Sequence, residues 1–304
     1  MNLIHAPVNQ LGLELSVDQF RDSFSPYLER LISKDDPEWC SLENYFADKA
    51  LHLVPSKRHQ ANVLNEWDGH WSDSSRLDDK FLIPRKNKPG PPWEWRDRGI
   101  IMTEAGGPRA RISGIQSTLS FLNPSNVLEV GCGDGLNLFA LACALPDIEF
   151  AGLELTPAGV ATALRFQQMS KLSDGMKAFA IDVRDFSGCS RVNFHEGSAQ
   201  SIPFADDSFD LVYTCVALEQ MESIRTEVLN EVRRVAREWV VFLEPFRDVN
   251  SEGLRLQHVS AQDYFSMYLQ QLTETGFDLY YATGDFPQKL NLGTLLVVAR
   301  IHCS

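Results

Sequence analysis

Residues 127–138 read Val-Leu-Glu-Val-Gly-Cys-Gly-Asp-Gly-Leu-Asn-Leu, and this stretch decides the fold. A short apolar strand that carries an acid runs into three glycines at alternate positions, and an apolar helix-like segment follows directly. Strand, glycine turn and helix in this order predict a nucleotide-binding loop, because glycine lets backbone N–H groups approach a ligand without a Cβ in the way. A dinucleotide fingerprint would be G-x-G-x-x-G, but Leu136 stands where its third glycine belongs. The spacing therefore disfavours a nicotinamide cofactor and, with it, a dehydrogenase.

Three further motifs follow the glycine loop. The apolar run 148–153 ends at Glu154, a strand-like stretch precedes the turn Gly-Ser-Ala-Gln at 197–200, and residues 202–214 read Ile-Pro-Phe-Ala-Asp-Asp-Ser-Phe-Asp-Leu-Val-Tyr-Thr. A carboxylate at Glu154 can accept hydrogen bonds from both hydroxyls of a ribose. Together, over about ninety residues, these motifs resemble those of the class I S-adenosylmethionine-dependent methyltransferases.

The resemblance implies a fold, a cofactor and a set of binding residues. The implied fold is α/β: a Rossmann-like, mostly parallel sheet of seven strands in the order 3-2-1-4-5-7-6, with helices on both faces. The implied cofactor is S-adenosylmethionine, with S-adenosylhomocysteine as the product. Its binding residues would be Glu129, Gly131, Cys132, Gly133, Gly135, Asn137, Glu154, Leu155, Ser198, Ala199 and Thr214.

Two arginines before the first strand of this unit are candidates for the methionine carboxylate. In the family a basic or aromatic residue from this region often binds it, and the guanidinium fork of Arg109 or Arg111 suits a carboxylate. Arg109 is the favoured candidate. The alternative for either residue is a surface charge on an amphipathic helix.

The chain is predicted to have two parts. Residues 99–304 alternate helices and strands and form the cofactor-binding domain, which ends in a hairpin of 277–281 and 294–301. Residues 1–98 hold five of the six tryptophans and form a mainly helical or irregular accessory region, a candidate lid. Smaller features are also predicted: a helix that begins near Ser16 and runs through Leu28 and Leu31, a basic loop at 84–92, an insertion at 171–190, and a helix capped by Ser260 and Asp263.

The candidate catalytic residues are Glu244 and His258. Many small-molecule methyltransferases place a histidine after strand four, whereas this chain has Gln220 there. Glu244 follows strand five and is a candidate base, a group that binds the acceptor, or a loop cap. His258 is placed in the following loop, with a structural or solvated histidine as its alternative. His70, between Trp67 and Trp71, is a further candidate that would enter the site from the lid.

Composition limits the partners. A net charge of −13 disfavours nonspecific nucleic-acid binding, and no apolar run approaches the roughly 20 residues of a membrane helix. The first residues lack the basic and apolar segments of a signal peptide. The six cysteines form no C-x-x-C pair, and acids and histidines do not cluster, so no metal site is predicted and reduced cysteines favour the cytoplasm. A homodimer is compatible with the sequence.

The predicted function is that of a methyltransferase acting on a small molecule, with oxygen as the favoured acceptor atom. One alternative is a protein or RNA methyltransferase, for which the basic stretch 85–98 is the only support. Another is a catalytically inactive subunit that binds S-adenosylmethionine and regulates a partner.

Overall fold

The computed structural model describes residues 28–53, 59–72, 92–102, 106–169 and 183–301. Its strands are β1 Leu28–Ser33, β2 Pro92–Trp95, β3 Arg98–Met102, β4 Asn126–Val130, β5 Glu149–Glu154, β6 Asn193–Glu196, β7 Phe209–Cys215, β8 Ala236–Glu244, β9 Phe277–Thr283, β10 Gln288–Lys289 and β11 Leu295–Ile301. Its α-helices are α1 Pro37–Leu51, α2 Gln60–Ser72, α3 Gly106–Leu122, α4 Leu136–Ala144, α5 Pro157–Gln167, α6 Arg225–Val235, α7 Gly253–Ala261 and α8 Leu269–Glu274. The predicted helix start at Ser16 and most of the predicted basic loop and insertion lie outside the described residues.

The larger sheet has seven strands in the order β6-β5-β4-β7-β8-β11-β9. The five strands from β6 to β8 are parallel, whereas β11 is antiparallel to both of its neighbours. Counted from β4 as the first strand of the domain, this order is 3-2-1-4-5-7-6. The predicted Rossmann-like fold and its terminal hairpin are therefore confirmed.

The core lies on both faces of this sheet. Successive residues of β7 point to opposite sides, so that Tyr213 packs in the layer with Leu119 of α3 while Val212 packs with Val228 of α6. All four side chains are fully buried. Strands covered on both faces explain the continuous apolar runs of the sequence.

A second, antiparallel sheet joins the N-terminal part of the chain to the C-terminal hairpin. Its order is β1-β3-β2-β10, and β10 pairs Lys289 with Trp93. The accessory region was predicted to be mainly helical or irregular, but it contributes strands as well as α1 and α2. Leu28 and Leu31, predicted on a helix, lie in β1, where Leu31 pairs with Ile100 of β3. The pairing with β3, far along the chain, overrides the weak local helical spacing.

The helix predicted to begin at Ser260 and to end before Gly276 is only partly confirmed: α8 includes Leu269 and Leu272 and ends before Gly276, but it begins at Leu269. Helix α7 already runs from Gly253 to Ala261, and Asp263 has a left-handed φ of 53° just after it. A left-handed residue at this position ends a helix, and aspartate tolerates that conformation better than most residues. His258 therefore lies within α7 rather than in a loop. None of the helices in the described ranges is long and apolar enough to cross a membrane.

Candidate functional site

A cavity of about 430 Å³ opens at the carboxyl ends of the parallel strands. Its walls come from the loops after β4, β5 and β7, from the start of α3, from α2 and from β10. Ligands of open α/β sheets bind at this edge, and the volume lies within the usual range for small-molecule sites. The cavity is therefore the candidate functional site.

The glycine loop forms one wall of the cavity. Gly133 has a left-handed φ of 54°, and a Cβ built there would lie 2.6 Å from the Trp71 ring. A Cβ on Gly131, at φ 78°, would lie 2.7 Å from the Ala217 methyl group. At both positions only glycine adopts the left-handed conformation without strain and leaves room for the neighbouring side chain. The loop therefore keeps its backbone exposed to the cavity, as a site for a nucleoside requires.

Glu154, at the end of β5, connects the glycine loop to the helix that follows. Its Oε2 accepts a hydrogen bond from Gly133 N at 2.9 Å, and its Oε1 accepts from Thr156 N and Thr156 Oγ1 at 3.0 and 2.6 Å. The same carboxylate lines the cavity. Each carboxylate oxygen has more than one lone-pair site, so Glu154 can hold the loop and still accept hydrogen bonds from a ribose.

Glu129 lies beneath the loop rather than on the cavity wall. It is fully buried, and its Oε1 accepts a hydrogen bond from Asn137 Nδ2 at 2.7 Å. Burial raises the pKa of Glu129 to about 8. Asn137 itself lines the cavity. Glu129 thus orients a cavity residue instead of facing a ligand directly.

The remaining predicted cofactor residues divide into two groups. Cys132, Leu155 and Ala199 line the cavity. Gly135, Ser198 and Thr214 do not: a Cβ on Gly135 would meet the ring of Phe194, Ser198 Oγ accepts from Gln200 N at 3.2 Å within its turn, and Thr214 is fully buried in the sheet.

Of the two candidate arginines, Arg111 lines the cavity and Arg109 does not. Arg109, the favoured candidate for the methionine carboxylate, is therefore replaced by Arg111. The two residues lie only two positions apart in α3, so their side chains point about 200° apart around the helix. Arg111 is the residue that can reach a carboxylate in the cavity.

Glu244 does not line the cavity. Its side chain is fully buried, and its Oε1 accepts hydrogen bonds from Ala217 N at 3.0 Å and Leu218 N at 3.1 Å. Burial raises the pKa of this carboxyl to about 8. Of its three predicted roles, the geometry favours the loop cap, because Glu244 fixes the segment that carries Ala217 into the cavity wall.

His258 also lies away from the cavity. Its ring packs edge-on against Tyr264, and Asn291 Nδ2 approaches it at 3.4 Å. Burial, followed by the charge of Lys289, lowers the pKa of His258. The structure thus gives His258 a packing role and places neither predicted catalytic residue on the cavity wall.

Helix α2 of the accessory region covers one side of the cavity with Val63, Trp67, His70 and Trp71. Asp68 fixes the helix: its Oδ1 accepts from Ala158 N, in the first turn of α5, at 3.0 Å. Thr162 Oγ1 donates to the Trp71 carbonyl at 3.3 Å. The lid-like role expected of the accessory region thus has a structural basis in α2.

The sequence analysis missed Lys289. It lies on β10, in the connection between the two strands of the terminal hairpin, and its side chain lines the cavity. Burial and the nearby charge of Arg111 lower the pKa of Lys289 to about 8, while Glu219 opposes this shift. No motif marks the residue. The only signal was the length of the hairpin connection.

A family profile described as a methyltransferase domain matches residues 128–242. Over 148 residues the chain is 27% identical to norajmaline N-methyltransferase of Rauvolfia serpentina, covering 46% of this chain and 44% of that protein. Over 123 residues it is 30% identical to an O-methyltransferase of Aspergillus nomiae, covering 40% of this chain and 47% of that one. The matches thus span less than half the length of either curated relative.

Among solved structures, that of the 4+2 cyclase SpnF is similar, with a TM-score of 0.51 and 16% identity over 83% of this chain and 98% of that chain. At this level of identity the likeness concerns the fold. The family match covers the end of β4, the glycine loop and Glu154, which are the parts of the cavity that the motifs predicted. No group of three or more acids, histidines and cysteines that could hold a metal occurs in the described part of the chain.

Proposed function

We propose that this chain, which contains a class I S-adenosylmethionine-dependent methyltransferase domain, transfers a methyl group to an oxygen of a small-molecule acceptor. The proposal rests on the residues that line one cavity. The glycine loop and Glu154 lie on one wall, whereas Lys289, Arg111 and Gln220 line the same space. A donor and an acceptor can therefore meet in a single compartment.

The residues of the cavity fit S-adenosylmethionine. Glu154 offers the remaining lone pair of Oε2 to a ribose, the glycine loop leaves room for a nucleoside, and Arg111 offers a cation to the methionine carboxylate. When bound, S-adenosylmethionine supplies a methyl group already activated by its positively charged sulfur. The protein then has mainly to orient the acceptor, which can lower the barrier by roughly 7–11 kcal/mol, and to exclude water. Trp67 and Trp71 suit the exclusion of water.

Oxygen is favoured by the charge of Lys289 rather than by the cavity as a whole, which Asp134, Glu154 and Glu219 also line. The curated relatives include both an N- and an O-methyltransferase, so similarity does not select the atom. Lys289 lines the cavity, and a cation there disfavours a protonated amine while it favours a hydroxyl or an oxyanion. The cover provided by α2 favours a small acceptor over a protein or an RNA.

The proposal is tested first by calorimetric titration with S-adenosylmethionine, S-adenosylhomocysteine and, as a control, NADH. We expect the first two alone to bind, and Gly133→Ala to weaken binding at least about tenfold because the added Cβ meets Trp71. Gly69→Ala is the matched control, since a Cβ there meets nothing within 4 Å. A wild-type protein that binds neither compound contradicts the proposal.

Release of S-adenosylhomocysteine in the presence of acceptors separates an enzyme from a regulatory subunit. Binding of the cofactor without release across a panel of phenols, enols, carboxylic acids and amines would favour the regulatory alternative. Release with amines alone would overturn the assignment to oxygen.

A further inference from the structure

Lys289 is held in the cavity by the residue before it. Gln288 Oε1 accepts from Thr294 N at 2.7 Å, and Gln288 Nε2 donates to the carbonyl of Thr294 at 3.0 Å. Neighbouring residues of a strand point to opposite sides. With the Gln288 side chain bound inside the hairpin, the Lys289 side chain points to the other side and lines the cavity.

The ammonium of Lys289 makes no hydrogen bond or ion pair among the described residues. An amine in a partly buried place without a partner is costly, so such groups recur at functional sites. Nearby, Gln220 is 6% exposed and its Oε1 is also without a hydrogen-bond partner in the described part of the chain. An amine that lines the cavity without a protein partner is available to a polar ligand.

The charged neighbours of Lys289 come from several elements. Arg111 on α3 disfavours the charged lysine, while Glu219, after β7, favours it. The charge of Lys289 also lowers the pKa of His258 on α7. Behind the strand, the Arg255 guanidinium donates to the Lys289 carbonyl at 3.3 Å.

The partner strand β2 and the helix α2 complete these surroundings. On β2, Glu94 is paired with Arg255 and with Lys34, so its charge is already compensated. His70 on α2 lines the same cavity. Burial together with Arg111 outweighs Glu219, and the pKa of Lys289 falls to about 8. A lysine with such a pKa is partly neutral at mildly alkaline pH and can accept a proton.

We propose that Lys289 takes the proton from an acidic hydroxyl, of the phenol or enol class, on the acceptor and then holds the oxyanion as an ion pair. The O–H bond breaks, its electron pair stays on oxygen, and the proton bonds to the lone pair of Lys289 Nζ. The oxyanion is the nucleophile for the methyl group, and Lys289 later returns the proton to solvent. This inference rests on the proposed function and names its substrate class and base.

Acidic hydroxyls suit this base better than ordinary alcohols. Proton transfer is efficient when the two groups have similar pKa values, and phenols and enols lie far closer to Lys289 than alcohols do. Neither Glu244 nor His258 lines the cavity, so neither is placed to compete as the base.

The test uses 4-nitrophenol, whose ionised form absorbs visible light, with the full-length protein saturated with S-adenosylhomocysteine. At a pH where the free probe is un-ionised, we expect the wild-type complex to show the phenolate band. Lys289→Met should lose the band and bind the probe about tenfold or more weakly, because a charged hydrogen bond is lost. Lys289→Arg should keep the band, and Lys49→Met, which removes an exposed charge on α1, should behave as wild type.

Turnover measurements then show whether Lys289 acts as a base or only supplies a positive charge. At pH 8 in solution, 4-nitrophenol is already ionised and unsubstituted phenol is not. We expect the ratio of phenol to 4-nitrophenol turnover to fall about 10²-fold or more in Lys289→Arg, because a guanidinium keeps its proton. An unchanged ratio would overturn the role as base.

The inference and the proposed function fail in different ways. A wild-type protein that binds S-adenosylhomocysteine but shows no phenolate band, or a Lys289→Met variant that keeps it, overturns the inference alone. A wild-type protein that binds neither S-adenosylmethionine nor S-adenosylhomocysteine overturns the proposed function. Retained binding of S-adenosylhomocysteine by each variant shows that it is folded.

Discussion

At the scale of single residues, Glu154 joins the glycine loop to the start of α5. Its carboxylate accepts from Gly133 N and from both donors of Thr156 while it faces the cavity. A residue with both tasks affects ligand binding in two ways, through its own hydrogen bonds and through the shape of the loop.

We therefore expect Glu154→Ala to weaken the binding of S-adenosylhomocysteine by at least about 1–3 kcal/mol, the cost of lost charged hydrogen bonds. Isothermal titration calorimetry measures the change. Glu149→Ala is the control, since Glu149 is exposed at the other end of the same strand. Equal affinity of Glu154→Ala and wild type would show that this carboxylate does not contact the ligand.

Two other acids make the free energy of unfolding depend on pH. Glu129 and Glu244 are fully buried, and burial raises the pKa of each from its ordinary value of 4.5 to about 8. The folded state therefore binds more protons than the unfolded state between pH 4.5 and 8. The free energy of unfolding should then decrease as the pH rises through this window, by up to about 1.4 kcal/mol per pH unit for each acid.

Urea denaturation at several pH values checks this slope. Glu244→Gln keeps an acceptor for Ala217 N and Leu218 N but cannot ionise. It should therefore remove the contribution of Glu244 to the slope of unfolding free energy against pH, with little loss of stability at low pH. Glu238→Gln, which changes a half-exposed acid on the same strand that is paired with Arg300, serves as the control. A slope that is unchanged in Glu244→Gln would contradict the raised pKa.

At the scale of elements, α2 packs on α5 of the domain, and one hydrogen bond of this contact comes from Asp68. Asp68 accepts from Ala158 N near the start of α5, where a negative charge is also favoured by the helix dipole. The same helix places Trp71 over Gly133 of the glycine loop.

Asp68→Ala should release α2 from α5 and expose Trp67 and Trp71 to water. We expect a red shift of tryptophan fluorescence and weaker binding of S-adenosylhomocysteine, with a loss of about 0.5–2 kcal/mol from the missing cap. Asn65→Ala, an exposed position on the same helix, is the matched control. Wild-type fluorescence and affinity in Asp68→Ala would show that α2 is held by other contacts.

The elements also show what the sequence could predict. Strands β4, β5 and β7 and the glycine loop were recognised because their signals are local: short apolar runs followed by glycine or an acid. Strand β10 has two residues and exists only because it pairs with β2, nearly two hundred positions earlier in the chain. Its Lys289 was therefore missed, and the contacts that turn Glu244 into a loop cap were equally invisible in the sequence.

At the scale of the whole molecule, the cavity needs both sheets. The larger sheet provides the glycine loop and Glu154, while the smaller sheet holds Lys289 through the pairing of β10 with β2. The smaller sheet is in turn tied to the domain by Trp93, which is 5% exposed and packs on Gly107 of α3. The two predicted parts of the chain thus contact one another through both sheets, and we expect each to stabilise the other.

A fragment of residues 99–304 tests this dependence. It lacks β1, β2, α1 and α2, so β3 and β10 lose their strand partners and the surface beneath Trp39 and Trp93 is exposed. Loss of a buried tryptophan alone typically costs about 3–5 kcal/mol. We expect the fragment to unfold at lower urea concentration and to bind S-adenosylhomocysteine at least about tenfold more weakly, because α2 no longer covers the cavity. A chain that lacks only residues 1–27 keeps every described element and is the control. If the fragment 99–304 matched that control in stability and affinity, α2 and β2 would not belong to the site, and residue 99 would begin an independently folding domain.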